Sequence, residues 1–390
     1  MPWKVENPMS LRFKFVCRLE DGEKMTDLCR EFDISRKTGY KIYNRFKEVG
    51  LKGLEDEGRR PTRLANLLDS DLAKVILRMK REKSTWGARK LREILVRKYP
   101  GTKPPAISTI HALLDRHDLV IHPRKRNTFK SKGTHLSTPL RSNDLWCTDF
   151  KGQFRMGDKS LCYPLTITDQ VSRSILGLDA MEKISEIDTI DSFKDTFREY
   201  GLPIAIRSDN GTPFASRGLF GLSKLSVFWL RLGIRFERIV PGNPQQNGRH
   251  ERMHRTLKLW THPAKNILSQ QEQFDIFKKE FNFERPHEAL KMKTPSELYK
   301  SSSLSYPEII PDIDYSDMEL VCKVSKCGSA CFPRLLGRIS IGLPLAGQRI
   351  GAKRIDDKLW ELCFMDYKLG FVDEESLKFT AGKNPFTQEN

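Results

Sequence analysis

Three acidic residues stand in settings that suit metal-dependent chemistry on a phosphodiester. Asp149 lies in the apolar run Leu-Trp-Cys-Thr-Asp-Phe, Asp209 in Ile-Arg-Ser-Asp-Asn-Gly, and Glu251 in Asn-Gly-Arg-His-Glu-Arg. The first two read as strand residues and the third as part of a helix. An unpaired charge inside an apolar strand is costly, and a bound cation is a leading reason to keep one there. Three carboxylates are hard oxygen donors, which favours Mg²⁺ or Mn²⁺ over zinc. Two such ions would activate an attacking oxygen and stabilise the leaving one.

The elements that must position these acids begin at Asp144, where the apolar period changes from 3.6 to 2. Residues 145–154, 162–169 and 174–180 read as three consecutive strands. A helix over 187–200, a fourth strand at 204–208, an apolar helix, a fifth strand at 235–240 and helices from about 245 follow. This is an α/β pattern with a mixed five-stranded sheet. If the first and fourth strands are neighbours, Asp149 and Asp209 lie side by side at one end of the sheet, where open α/β sheets place their sites. On the last helix Asn247, Glu251, Arg255 and Lys258 share one face, so a metal-binding acid would sit among groups suited to phosphate.

Composition points the same way. The 390-residue chain carries a formal charge of +18 and a pI near 9.5, which implies a polyanionic partner. Residues 1–136 hold 32 Lys and Arg against 17 Asp and Glu, so most of the excess lies in the first third. That third reads as helical. Residues 10–55 carry Leu11, Phe15, Val16 and Leu19, then Met25, Leu28, Cys29 and Phe32, at helical spacing. A further helix capped by Ser35 is expected to turn Tyr40, Ile42, Tyr43 and Phe46 inward and Arg36, Lys37, Lys41 and Arg45 outward. Two short helices with a tight turn form a helix-turn-helix pattern. Residues 67–122 repeat the plan: Leu72, Val75, Ile76 and Met79 on one helix, Ala88, Leu91, Ile94 and Leu95 on another. A third helix is expected to be capped by Ser108, with His111, Arg116 and His117 exposed. Basic segments with Arg59 and Arg60, and with Arg124, Lys125 and Arg126, could lie along a DNA backbone.

These readings divide the chain into helix-turn-helix units at 1–57 and 67–122, basic connections at 58–66 and 123–140, a core at 141–300, a linker at 301–318, and a small β-barrel at 319–382. Eight scattered cysteines, without a secretory signal, fit reduced thiols in a cytosol. Cys322, Cys327, Cys331 and Cys363 lack the paired spacing of a zinc site. No stretch reads as a membrane span, and no Gly-rich phosphate loop for a nucleotide cofactor is present.

At this point the chain resembles the integrase-core, or DDE, superfamily: insertion-sequence transposases and retroviral-type integrases with a ribonuclease-H-like core. The resemblance rests on Trp-Cys-Thr-Asp-Phe-Lys-Gly (146–152), Arg-Ser-Asp-Asn-Gly-Thr-Pro-Phe (207–214), Pro-Gly-Asn-Pro-Gln-Gln-Asn-Gly-Arg-His-Glu-Arg (241–252), Arg-Pro-His-Glu-Ala-Leu (285–290) and Thr-Pro-Ser-Glu-Leu-Tyr (294–299), in that order. It implies that Asp149, Asp209 and Glu251 are the metal-binding catalytic triad, with two Mg²⁺ or Mn²⁺ ions. Asn210 and Gly211 would shape the turn after the second acid, and Asn247, Arg255 and Lys258 would flank the DNA end. The SH3-like form of the C-terminal barrel also follows from it. The transposase branch implies double-stranded terminal repeats and target DNA as partners, at least a dimer on DNA, and a cytoplasmic, nucleoid-associated location of bacterial type.

One departure matters. Forty-one residues separate Asp209 from Glu251, against about thirty-five in most of the superfamily. A strict count lands on Gln245, which has no carboxylate, and Glu237 sits in the fifth strand. Glu251 is therefore retained, with the extra residues expected in 214–229, where loop insertions cost little. Asp169, Asp158 and Asp179 read as turn or strand-end residues. Lys151 and Arg173 suit either phosphate contact or a plain surface. His254 could reach DNA, and His287 reads as a packing residue. Rival readings are a phage- or retroelement-type integrase, a nuclease that cuts without joining, and a catalytically silent DNA-binding regulator.

Overall fold

The computed structural model describes residues 8–56, 68–122, 137–240, 244–332 and 338–386. The expected DNA contacts Arg59, Arg60, Arg124, Lys125 and Arg126 lie outside them. The chain forms two compact units, Met1–Leu67 and Leu68–Asn390.

In the first unit α1 (Pro8–Glu20), α2 (Met25–Glu31) and α3 (Arg36–Val49) enclose Phe15, Val16, Leu28, Cys29 and Leu54. Ser35 caps α3 as expected, its Oγ accepting from Thr38 N at 3.1 Å. The inward face differs by one position. Gly39 is the buried residue and Tyr40 is 53% exposed. A Cβ on Gly39 would stand 2.7 Å from Cys29 Sγ and 2.9 Å from Met25 Sδ, so the close approach of α2 and α3 leaves no room for a side chain. Arg36, Lys37 and Lys41 are exposed, while Arg45 folds back to donate to Glu55 O.

In the second unit α4 (Ser70–Glu82), α5 (Ala88–Lys98) and α6 (Ile107–Arg116) pack around Ile76, Trp86, Leu91, Leu95, Ile110 and Leu114. Ser108 does not cap α6: the helix starts at Ile107, after Ala106, which makes no side-chain cap. His111, Arg116 and His117 are exposed as expected.

The catalytic-type core is a sheet of β1 (Trp146–Phe150), β2 (Phe154–Arg155), β3 (Leu161–Asp169), β4 (Ile175–Met181), β5 (Ala205–Ser208) and β6 (Arg235–Arg238). Its order is β2-β3-β1-β5-β6, with β4 also on β3. The sheet has six strands rather than five because the first predicted strand breaks after Phe150 and resumes as the two-residue β2. β1 and β3 are antiparallel, as are β3 and β4, whereas β5 runs parallel to both β1 and β6. α7 (Glu186–Tyr200) and α8 (Lys224–Arg231) cover one face through Trp146, Phe193, Phe197, Phe214 and Trp229. Burying each such aromatic side chain contributes on the order of 1.5–3 kcal/mol. α9 (Gly248–Trp260) and α10 (Ile267–Lys279) share a second core with Cys162, Ile175 and Leu178. After a π-turn at Glu280–Glu284, the short α11 (Pro295–Leu298) closes this part.

The expected linker is strapped down: Ser302 N donates to Tyr200 O, Leu202 N donates to Leu304 O, and Arg198 pairs with Glu308 at 2.9 Å. Beyond it come β7 (Leu320–Lys323), β8 (Ser329–Cys331), β9 (Arg338–Ser340), β10 (Arg349–Asp356), β11 (Leu359–Phe364), β12 (Tyr367–Asp373) and β13 (Phe379–Ala381). They form an open antiparallel sheet of order β13-β12-β11-β10-β7 and a separate β8-β9 ladder. The expected barrel is not closed among the described residues, because β7 and β13 end the sheet without pairing. Its apolar face is buried partly against Leu222, Val227 and Leu230 of the core.

Candidate active site

The parallel pairing of β1 with β5 matches Trp146 to Ile206 and Cys147 to Arg207. The same register carried two residues further sets Asp149 level with Asp209, just past the end of β5. Asp209 Oδ1 accepts from Gly211 N at 2.9 Å, and Asn210 Nδ2 donates to Ile239 O at 2.6 Å, tying the turn to the end of β6. A Cβ on Gly211 would stand 3.1 Å from Asp209 Oδ2. Both residues therefore shape this turn.

The third acid's helix is anchored to the same strands. Arg207 Nε and Nη2 both donate to Glu237 Oε2, at 3.1 and 2.8 Å, in a buried ion pair with 4% and 9% of the side chains exposed. Arg207 also donates to Gln246 O, and Gln246 Oε1 accepts from Val240 N. Glu237 is thus a structural acid. Glu251 lies exposed in the first turn of α9, with Arg255 and Lys258 exposed on the same face. Asn247 departs from expectation. It sits at the N-cap position, 4% exposed, and its Oδ1 has no hydrogen-bond partner among the described residues. The turn at Pro244–Asn247 buries it, so it does not share the exposed face.

Burial, with Asp209 and then Glu251, pushes Asp149 up to about 7. Its support comes from Thr166 and His250, and from His254, which by sequence alone could reach DNA. Thr166 Oγ1 donates to Asp149 O at 2.8 Å and lies 2.7 Å from both His250 Nε2 and His254 Nε2. A hydroxyl has one proton, so both ring nitrogens must donate to it. Thr168 Oγ1, 2.7 Å from His250 Nδ1, then donates to that nitrogen. Burial holds His250 and His254 neutral, His254 at about 3. His254 is only 5% exposed and packs under Asp149 instead of reaching outward. Alternation along β3 places Thr166 and Thr168 on one face, which is the only sequence signal for this pair.

Asp169, at the far end of β3, accepts from Asn143 N, Ser172 N and Ser172 Oγ and caps the hairpin as expected. Asp158 accepts from Ser160 in a turn, and Asp179 accepts from Ser192 Oγ. Lys151 and Lys258 line one groove beside β2.

Among the described residues no three acidic, imidazole or thiol side chains stand together as a ready-made metal cage. The donor set nevertheless fits a hard cation. Asp149 is half-buried and strained by two further carboxylates, a charge imbalance that a divalent ion would relieve.

Integrase-core domain models match residues 139–244 and 232–295, overlapping at 232–244, across β6. A homeodomain-like domain model matches residues 38–114. Residues 139–295 are an integrase core. This core thus spans all three acids. An insertion element IS407 protein of 31.7 kDa from Burkholderia multivorans is 25% identical over 231 residues, covering 58% of this chain and 79% of that protein. A putative integrase of Spiroplasma virus SpV1-C74 is 30% identical over 157 residues, 36% of this chain and 43% of its own length. Among solved structures, the magnesium-bound catalytic core of HTLV-2 integrase in its trimeric form aligns at TM-score 0.34 and 18% identity, covering 42% of this chain and all of that one. A simian T-cell lymphotropic virus intasome chain aligns at TM-score 0.37 and 18% identity, over 76% of this chain and 97% of its own. The integrase core is ribonuclease-H-like with a mixed sheet, and the helical region before it is of helix-turn-helix type. No helix of the described residues is long and apolar enough to cross a membrane.

Proposed function

We propose that this integrase-core protein is a DNA transposase that binds the terminal repeats of a mobile element, cuts a strand to free a 3′ hydroxyl and joins that hydroxyl to target DNA. The observation that carries the reading is the parallel β1–β5 register, which brings Asp149 level with Asp209; burial first, then Asp209 and Glu251, raise Asp149, which supports reading the three acids as one electrostatic site. Asp149, Asp209 and Glu251 would hold Mg²⁺ or Mn²⁺, two ions in all. When bound, these ions neutralise the phosphodiester and acidify the attacking oxygen.

The chain's own residues set the geometry. Thr166 holds the Asp149 backbone carbonyl, and the neutral His254 packs beside its carboxylate. Arg255 and Lys258, one and two turns beyond Glu251, offer charge to the flanking phosphates. In the first step water attacks phosphorus, the bond to the 3′ oxygen breaks, and that oxygen leaves as a hydroxyl. In the second it attacks a target phosphorus in line and displaces the target's own 3′ oxygen. The number of phosphodiesters is unchanged in the joining step, so no nucleotide cofactor is needed.

Exposed Arg36, Lys37, Lys41 and His111 would contact DNA from the helical regions, with phosphate contacts giving much of the affinity. Bringing two element ends together calls for at least a dimer on DNA. The test is incubation of the full chain with Mg²⁺ or Mn²⁺, a labelled duplex taken from the DNA flanking its coding sequence, and a target plasmid. Joined products support the transposase. Cleavage without joining would make it a nuclease, and binding without cleavage in either metal a silent regulator.

A further inference from the structure

A second charged site lies on another side of α9. At about 100° per residue, Arg249, Arg252 and Thr256 project away from the face of Glu251, Arg255 and Lys258. With Lys90 of α5, Arg173 of the β3–β4 turn and Arg285 they line a cavity of about 340 Å³, room for about ten water molecules. Two acids also line it, and Glu288 partly offsets Lys90. Asp169 caps its hairpin, and Glu288 pairs with Arg89 at 2.9 Å.

This cluster is costly as it stands. Arg285 is only 8% exposed, and among the described residues its side chain donates one hydrogen bond, to Thr85 Oγ1 at 3.3 Å. Arg249 donates to Gln170 O. The buried His287 Nε2 has no hydrogen-bond partner among the described residues. Burial and the nearby Arg285 lower Lys90 to about 8. Burial, Arg249 and Arg252 lower Arg173, which sits at φ +65°. Converging cations suit a tetrahedral oxyanion. The cavity wall also joins α5 of the second helical bundle to the core. That seam is tied by Lys83 to Glu280 and Glu284, and by Arg97 to Glu297.

We propose that this cavity is a phosphate-binding site, separate from the acidic triad, which holds a backbone phosphate of the bound DNA strand. The inference rests on the transposase reading for the identity of the strand, and on the cavity alone for the phosphate. A strand held here would be fixed by both α5 and α9, so the site would set the register of the duplex relative to Glu251.

The test uses the full chain with Arg173→Gln, Lys90→Gln and the charge-preserving Arg173→Lys, each checked for unchanged thermal unfolding in chloride. Duplex affinity is read by fluorescence anisotropy across salt concentrations. Each Gln variant is expected to lose affinity several-fold and to lower the log–log salt slope by about one, as for a lost phosphate contact, while Arg173→Lys stays near the parent. In parallel, inorganic phosphate at matched ionic strength is expected to raise the parent's melting temperature more than that of either Gln variant. If phosphate stabilises the parent but the Gln variants keep duplex affinity and slope, the cavity takes the free ion and the strand assignment is overturned. If neither arm moves, there is no phosphate site. If the parent binds no duplex, the transposase reading falls and takes the strand assignment with it, while the phosphate arm still decides the cavity.

Discussion

His254 Nδ1 stands 3.7 Å from Asp149 Oδ2, while the opposite ring nitrogen donates to Thr166 Oγ1 at 2.7 Å. The first catalytic-type acid therefore rests on a neutral imidazole, which the same threonine orients while bonding the acid's own carbonyl. Thr166→Val keeps the shape but removes the shared oxygen, leaving two buried ring N–H groups unpaired. A loss of about 1–3 kcal/mol for each is expected, read as a lower urea midpoint with unchanged m-value, together with slower strand cleavage.

The Arg207–Glu237 pair makes a second expectation. Glu237→Gln removes one partner of a buried ion pair, which costs about 3–5 kcal/mol. Thermal unfolding of the variant is expected to drop sharply. If Glu237 were instead the third metal acid, divalent metal would stabilise the parent and fail to stabilise the variant.

In the first unit, Gly39→Ala puts a methyl within 3 Å of two sulfur atoms. Overpacking of this kind costs about 1–3 kcal/mol. The expected readouts are a lower melting temperature and weaker duplex binding, with α3 displaced from α2.

His287 gives a pH dependence. Burial, with Arg285, Lys90 and Arg173, lowers it to about 3, against roughly 6.5 in the unfolded chain. Between those values the unfolded chain takes up a proton that the folded chain refuses, so stability falls as pH drops from about 6.5 toward 3. His287→Gln is expected to flatten that fall by up to about 1.4 kcal/mol per pH unit, measured by urea unfolding at pH 7, 6 and 5.

Much of this was legible in the residues. The period-2 runs gave β1, β3, β4, β5 and β6 because each strand has an apolar face. That Asp149 and Asp209 lie side by side depended in the sequence on the first and fourth strands being neighbours, and the parallel β1–β5 pairing meets that condition. What periodicity could not supply was anything decided by a single backbone turn. Asn247 satisfies the helical spacing to Glu251, yet the turn at Pro244–Asn247 buries it. Tyr40 satisfies the inward pattern, yet Gly39 sits at the closest approach of the two helices. The C-terminal strands were visible one by one, but barrel closure depends on pairing between edges far apart in sequence. The basic cavity was hidden for a similar reason: Lys90, Arg173, Arg252 and Arg285 converge only through the docking of α5 on the core.

The central claim, that Asp149, Asp209 and Glu251 form one metal-dependent site, is tested most directly by strand transfer with Asp149→Asn in Mg²⁺, using labelled element-end duplex and a target plasmid. Removing one acid is expected to lower the joining rate on the order of a thousandfold, the several kcal/mol that metal-assisted phosphoryl transfer supplies, while duplex binding persists. Joining by Asp149→Asn at the parent's rate would contradict the claim.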